Sequence, residues 1–92
     1  MAMEMKFDPA AGSFYLKLSD REVVRTEDVD GKRRVLVDLD RDNGVVGIEL
    51  IQPNRVSLQT VTRKFDLPPI RLDQVKFSSA RIPKHVLEKA FA

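Results

Sequence analysis

Apolar and polar residues alternate along the first half of the chain with a period of two, which is typical of β-strands that bury one face. The alternation is clearest in residues 13–19, 34–40 and 45–51. Residues 23–29 are rich in β-forming residues but heavily charged, which predicts a strand with one solvated face, and residues 6–7 add a short segment at the start. The pattern therefore predicts about five short strands.

Turn-forming residues separate these segments. Residues 8–12 supply Asp, Pro and Gly, and residues 42–44 read Asp-Asn-Gly. Asn-Gly between two β-rich segments predicts a hairpin with a type I′ turn, in which both central residues have positive φ. Because such short connections cannot join parallel strands, we expect an antiparallel meander.

The alternation stops after Gln52, and prolines divide the rest of the chain into short pieces. The spacing of Leu58, Val61 and Phe65 favours a short helix over residues 54–64, although β-branched residues dilute its helix propensity. The alternation in residues 72–77 is ambiguous.

The end of the chain predicts a second helix. Pro83 suits the first position of a helix, and an apolar face follows it over residues 83–92. A helix of about ten residues is marginal by itself, so we expect this face to dock on the sheet or on a partner. Its candidate partner-binding residues are Val86, Leu87 and Phe91.

These patterns predict an α+β fold: a small antiparallel β-meander of about five strands with a C-terminal helix packed on or beside the sheet. Residues 1–52 form the meander domain, and residues 53–92 form a basic extension that packs on the same domain. A length of 92 residues allows one modest core, and 42% hydrophobic with 33% charged residues is a globular balance.

The net charge of +2 conceals an asymmetry. Residues 1–52 carry 8 Lys or Arg and 11 Asp or Glu, whereas residues 53–92 carry 8 and 3. A basic extension either lies against its own acidic domain or seeks anions such as nucleic acid phosphates. The candidate nucleic-acid-binding residues are Arg63, Lys64, Arg71, Lys76, Arg81 and Lys84.

Residues 6–19 (KFDPAAGSFYLKLS), with VDLD at 37–40 and VVGIEL at 45–50, resemble the bacterial domain of unknown function 2283. Members of that family typically begin with YDPEADALYI and end with DYDEDGRVVGIEIL. The resemblance covers a little over half the chain. It implies no established activity or site residues, and it suggests an antitoxin-like role because members are thought to lie beside genes for small toxins.

Asp38, Asp40, Asp42 and Glu49 have the spacing of a calcium-binding loop. Asn43 stands where that loop requires Gly, and the flanking segments alternate as strands, whereas a calcium loop of this kind lies between helices. We therefore interpret the segment as a hairpin whose carboxylates are solvated.

The sequence does not predict an enzyme. Cysteine is absent and His85 is the single histidine, so a thiolate metal site or a Ser-His pair has little support. No cofactor or small-molecule substrate is expected. The first residues lack a basic run before an apolar stretch, and no segment approaches the roughly 20 apolar residues that span a bilayer, so the expected location is the cytoplasm.

The function predicted from the sequence is a protein-interaction module, antitoxin-like or self-associating as a dimer. Either the apolar helix face or an unpaired sheet edge would contact a protein partner or a second copy. The alternative is a nucleic-acid-binding accessory protein that uses the basic extension.

Overall fold

The computed structural model describes residues 3–8, 10, 12–29, 31–51, 58–67, 70 and 75–77, and these contain six strands and one helix. In chain order the elements are β1 (Met3–Asp8), β2 (Ser13–Lys17), β3 (Arg25–Asp28), β4 (Val35–Leu39), β5 (Val45–Leu50), α1 (Leu58–Lys64) and β6 (Val75–Phe77).

The strands form one sheet in the order β3-β4-β5-β2-β1-β6, and the neighbouring pairs among β1 to β5 are all antiparallel. The predicted α+β class with five antiparallel strands is confirmed, but the strand order departs from that of a simple meander. β2 pairs with β5, and β3 lies at the end of the sheet. The physical reason is burial: five of the six residues of β5 are buried, whereas all four residues of β3 are exposed. The most apolar strand takes a central position and the most charged strand takes the edge.

Strand β6 lies beside β1 and runs parallel to it, pairing Met3 with Val75 and Met5 with Phe77. The ambiguous pattern of residues 72–77 did not predict this strand. A parallel pair needs a long crossover connection. The chain between β5 and β6 provides that length and contains α1.

Helix α1 covers one face of the sheet. Its Leu58 and Val61 are almost fully buried among the inward side chains of the strands, and Phe65 packs beside them. The predicted helix over residues 54–64 is confirmed from Leu58 onward, since residues 54–57 lie outside the described residues. The predicted C-terminal helix, residues 83–92, also lies outside them.

The core consists of the inward positions that the period-two pattern predicts. Strands β1, β2, β4 and β5 contribute the almost fully buried side chains Met5, Phe14, Leu16, Val35, Val37, Leu39, Ile48 and Leu50. The pairing of β4 with β5 shifts between Asp38 and Leu39, so that Val46 is an extra residue in β5. The carbonyl oxygen of Val46 accepts the N–H groups of Leu18 and Ser19, which fixes the end of β2.

The hairpin between β4 and β5 is confirmed, but the predicted type I′ turn is wrong. Asn43 has a φ of 66°, and Gly44 is not among the residues with positive φ. The Asn43 N–H donates to the Asp40 carbonyl at 3.1 Å, and the Asp40 N–H donates to the Gly44 carbonyl at 3.0 Å. These bonds close a three-residue loop, residues 41–43, which needs a left-handed conformation only at its last position.

Among the described residues, no helix has the length and apolar content needed to cross a membrane.

Replacing Ile48 by Ala tests the central position of β5. Ile48 is fully buried in the core, so removing its branched side chain is expected to lower the free energy of unfolding by about 2–4 kcal/mol. Thr60→Ala, at an exposed position of α1, is the control and should change it by less than about 0.5 kcal/mol. Urea unfolding followed by circular dichroism measures both, and equal effects of the two changes would contradict the described core.

Candidate functional site

Strand β3 forms one end of the sheet. It pairs with β4 on one side, and no other described strand pairs with its opposite side, which we call the β3 edge. Arg25, Thr26, Glu27 and Asp28 are all exposed. An edge strand presents unpaired backbone groups, and these are a template for pairing with another chain.

The outward backbone groups of β3 follow from its pairing with β4. The Val29 N–H donates to the Val35 carbonyl at 3.0 Å, so these two opposed residues form a hydrogen-bonded pair. Hydrogen-bonded and non-hydrogen-bonded pairs alternate along an antiparallel ladder. Glu27 and Arg25 therefore direct their N–H and C=O groups toward β4, and Thr26 and Asp28 direct theirs outward.

Two apolar residues precede the β3 edge. Val23 is 42% exposed and Val24 is 50% exposed, and among the described residues these are the large hydrophobic side chains that lie open to solvent. Exposed apolar groups beside unpaired backbone are typical of a surface that another chain covers.

A hydrogen-bonded network holds β3 in place on the outer face of the sheet, which is the face opposite α1. The Thr26 Oγ1 hydroxyl donates to Asp38 Oδ1 at 2.6 Å, and the Tyr15 hydroxyl donates to Asp38 Oδ2 at 2.8 Å. Asp38 in β4 thereby joins β2 to β3 across the sheet. Burial of the phenol, together with the hydrogen bond to Asp38 and its negative charge, raises the pKa of Tyr15 above its ordinary value.

Gly47 makes the reach of Tyr15 possible. Tyr15 lies on β2 and Asp38 on β4, and between them Gly47 of β5 is opposed to Asp38. A Cβ atom at position 47 would overlap the hydroxyl group and the Cζ atom of Tyr15. The aromatic ring therefore passes over the bare backbone of β5, which explains why a glycine occupies a central strand.

The turn after β4 is organised by Asp40. Its Oδ1 accepts the N–H groups of Asp42 and Gly44, each at 2.8 Å, and its Oδ2 lies 3.1 Å from Arg21 Nε but accepts no hydrogen bond. The side chain of Asp40 is only 6% exposed. The Gly44 N–H, with the Asp42 N–H and the charge of Arg21, holds the pKa of Asp40 below its ordinary value and outweighs the opposing effect of desolvation.

Position 44 requires glycine because there is no room for a Cβ atom, and not because of its φ angle. A Cβ atom there would approach Asp40 Oδ2 to 2.8 Å and Arg21 Nη2 to 3.1 Å. The Asn-Gly pair thus serves two separate purposes, since Asn43 adopts the left-handed conformation and Gly44 leaves room for the ion pair.

A cavity of about 220 Å³ opens beside this ion pair, next to the first residues of the β3 edge. Its lining combines charged groups with one valine: Arg21, Glu22, Val24, Asp40, Arg41 and Asp42. It offers both signs of charge to a polar side chain, through Arg21 and Arg41 and through Glu22 and Asp42.

The calcium-like spacing of the aspartates does not bring their side chains together. The Asp38 carboxylate accepts hydrogen bonds from Tyr15 and Thr26, the Asp40 carboxylate accepts hydrogen bonds from loop amides, and Asp42 is exposed. Within the described part of the chain, no group of three or more His, Cys, Asp or Glu side chains is arranged to hold a metal ion.

The part of the outer face that β1 to β5 form is acidic. Its outward positions on β1 to β5 carry two lysines against five carboxylates, a net charge of −3, and these groups are Lys6, Lys17, Glu4, Asp8, Asp28, Asp38 and Glu49. Such a face attracts basic partners and repels phosphates.

Most site residues predicted from the sequence lie beyond the described residues. These are Val86, Leu87 and Phe91 of the helix face, and Arg71, Arg81 and Lys84 of the basic set. Lys76 lies on β6, where the side chain is not described, and Arg63 and Lys64 are exposed at the end of α1. The Lys64 ammonium donates to the Val29 carbonyl at 3.1 Å, which ties α1 to the chain just after β3.

The residues of the β3 edge were not singled out from the sequence. The interpretation of residues 23–29 was a strand with one solvated face, but Arg25, Thr26, Glu27 and Asp28 are exposed on both faces. A strand with charged residues on both faces is typical of a sheet edge, and that signal was present in the sequence.

The comparison with protein families confirms the family resemblance that the sequence motifs indicated. The family model described as "Protein of unknown function (DUF2283)" matches residues 4–52. The chain belongs to this family. The DUF2283 region spans β1 to β5, and therefore includes the β3 edge, the Asp38 network and the cavity, whereas α1 and β6 follow it. No curated protein and no solved structure matches the chain.

The chain has one tyrosine and no tryptophan, so ultraviolet titration reports on Tyr15 directly. We expect its phenol to ionise above the ordinary pKa of about 10. Asp38→Asn is expected to lower that pKa only part of the way, because burial of the ring remains. Glu49→Gln, which removes a more distant charge, should lower it less. An unchanged titration in Asp38→Asn would contradict the network, and circular dichroism at each pH verifies folding.

Asp40 makes the stability of the chain depend on acid pH. Because its folded pKa lies below the unfolded value of about 3.9, its contribution is present above about pH 4 and is lost as the pH falls further. Asp40→Asn should therefore destabilise the chain more at pH 7 than at pH 2.

Chemical unfolding at the two pH values measures this difference. Asp42→Asn, at an exposed side chain in the same turn, is the matched control. A destabilisation by Asp40→Asn that is the same at both pH values would contradict the assignment.

Proposed function

We propose that this member of the DUF2283 family is a non-enzymatic protein-interaction module that accepts a β-strand of a protein partner at the β3 edge. The observation that carries the proposal is the position of β3, which is exposed along its whole length and directs the backbone groups of Thr26 and Asp28 away from the sheet. Strand addition at such an edge is a common mode of peptide recognition.

The chemistry around the edge supports a selective partner. Arg25, Glu27 and Asp28 disfavour pairing with an arbitrary apolar strand, since such a strand would desolvate these charged groups without offering charges of opposite sign. The neighbouring Val23 and Val24 add exposed apolar area, and the adjacent cavity has room for a side chain of the added segment.

Tyr15 and Asp40, two side chains with perturbed pKa values, have structural partners. Tyr15 donates to Asp38, and Asp40 accepts turn amides beside Arg21. Each of these contacts stabilises the sheet or its turn, which supports a binding function over a catalytic one.

The acidic outer face favours a basic protein partner. That charge fits the antitoxin-like role that the family resemblance suggests, if the partner is a basic toxin. Binding to nucleic acid through Arg63, Lys64 and the other basic residues of the extension stays a prediction, as does contact through Val86, Leu87 and Phe91. We place the function in the bacterial cytoplasm on the family resemblance and the absence of cysteine from the sequence.

Proline at position 26 tests the β3 edge. The Thr26 N–H points away from β4, so Thr26→Pro removes an outward donor without removing a hydrogen bond of the chain's own sheet. It also removes the hydroxyl bond to Asp38, and Thr26→Val is the matched control because it loses that bond but keeps the N–H. We expect Thr26→Pro to weaken partner binding by about tenfold or more and Thr26→Val to retain it.

Each full-length form is immobilised and used to capture proteins from a bacterial lysate, and captured proteins are then purified and titrated by calorimetry. Hydrogen exchange in the complex should show protection of the Thr26 and Asp28 amides. Capture of the same proteins with equal affinity by Thr26→Pro, or unprotected amides at both positions, would refute the proposal.

A further inference from the structure

We propose that the strand accepted at the β3 edge is β3 of a second copy of this chain, paired antiparallel about a two-fold axis at Thr26. In this arrangement Arg25 of each copy lies opposite Glu27 of the other. The inference rests on the proposed function and names the partner at the β3 edge. Edge-to-edge pairing leaves the acidic outer face of each copy open, so a basic partner would contact that face and not the β3 edge.

The backbone restricts the pairing. A two-fold axis perpendicular to the sheet can relate the two copies. In that case, hydrogen-bonded pairs form between residues that direct their N–H and C=O groups outward in both copies. Thr26 is the central residue of this kind in β3, and in a pair with itself each Thr26 N–H donates to the other Thr26 carbonyl. The Val24 N–H already donates to the Leu39 carbonyl at 2.9 Å, so the regular outward ladder begins after it.

The charges select the register. Pairing Thr26 with itself places Arg25 opposite Glu27 twice, so that two attractive pairs form across the interface. Moving the two-fold axis from Thr26 to Glu27 places Glu27 opposite Glu27. Moving the axis to Arg25 places Arg25 opposite Arg25. Like charges directly opposite each other destabilise a strand pair, and opposite charges stabilise it.

The same two side chains are already aligned within one copy. Arg25 Nη2 lies 3.4 Å from Glu27 Oε1, and both side chains are 47% exposed. They share one face of β3, so a second copy would complete a group of four charges in which the neighbours of each charge have the opposite sign. Since both side chains are held along the strand before association, less conformational entropy is lost on pairing.

The two-fold arrangement also covers the exposed valines. It brings the N-terminal end of one β3 beside the C-terminal end of the other, so Val23 and Val24 of one copy approach Asp28 and Val29 of its partner copy. The contact is isologous and uses the β3 edge of both copies at once, which closes the assembly at two chains.

Charge reversal at positions 25 and 27 tests the register in the full chain. Arg25→Glu and Glu27→Arg each place two pairs of like charges across the axis. Each should lower the association constant of the dimer by roughly tenfold or more. An equal mixture of the two variants restores both attractive pairs and should form a mixed dimer. The double variant Arg25→Glu with Glu27→Arg should form its own dimer, and it also keeps the intrachain pair.

Sedimentation equilibrium gives the dimerisation constants, and native mass spectrometry with one tagged variant identifies the mixed dimer. The wild-type dimer should weaken as salt rises, because the four charges are half exposed. A wild-type chain that stays monomeric at millimolar concentration, or single reversals without effect, would overturn the inference. Tighter dimerisation of Glu27→Gln would also overturn it, since that result requires Glu27 to face itself.

The two proposals fail in different ways. If the wild-type chain is monomeric but captures another protein that Thr26→Pro does not capture, the inference of a second copy is wrong and the strand-accepting function stands. If Thr26→Pro neither weakens dimerisation nor changes capture, the β3 edge is not a binding site and both are wrong.

Discussion

The burial of β5 between β4 and β2 determines the rest of the sheet. Five of its six residues are buried, so both of its edges need a neighbouring strand and its inward face needs α1. β2 supplies the second neighbour, and this separates β2 from β3 although they are consecutive in the sequence. The charged strand is thereby left at the end of the sheet, where its backbone is accessible.

Hydrogen bonds on the outer face fix the position of this edge. Asp38 accepts hydrogen bonds from Thr26 and Tyr15, and Tyr15 reaches it because Gly47 has no side chain. Edge strands are commonly the least ordered part of a sheet. Strand β3 is thus held by Asp38 of the neighbouring strand, and Asp38 is in turn held by Tyr15 from two strands further along the sheet. A strand fixed in this way loses less conformational entropy when a partner pairs with it.

Period-two patterning predicted the strands of residues 34–51 and their inward faces, because the alternation of a strand is a local property of the sequence. Strand order depends on which strands most need burial. The alternation is similar in β2, β4 and β5, so it does not show which of these strands lies at the centre of the sheet. Strand β6 is only three residues long and pairs with a strand more than seventy residues earlier, so no local signal predicts it. The turn was placed correctly from Asn-Gly, but its type depends on the conformation of Gly44, which does not take a positive φ, and the dipeptide alone does not determine that conformation.

The proposed binding surface was harder to predict than the fold for the same reason. The charges of Arg25, Glu27 and Asp28 were visible in the sequence, but their meaning depends on β3 having a single neighbour, and that follows from the strand order. The apolar helix face and most of the basic extension remain predictions, because they lie outside the described residues.

Strand β6 has a consequence for the valency of the domain. The family region ends at residue 52, and a sheet built from that region would present the six-residue β1 as a second open border. Here the three-residue β6 pairs with Met3, Glu4 and Met5 of β1, and so short a border offers little template for strand addition. Within the described sheet this leaves the β3 edge as the proposed border for strand addition, so a strand added there would end growth at a discrete complex and would not continue into a fibre.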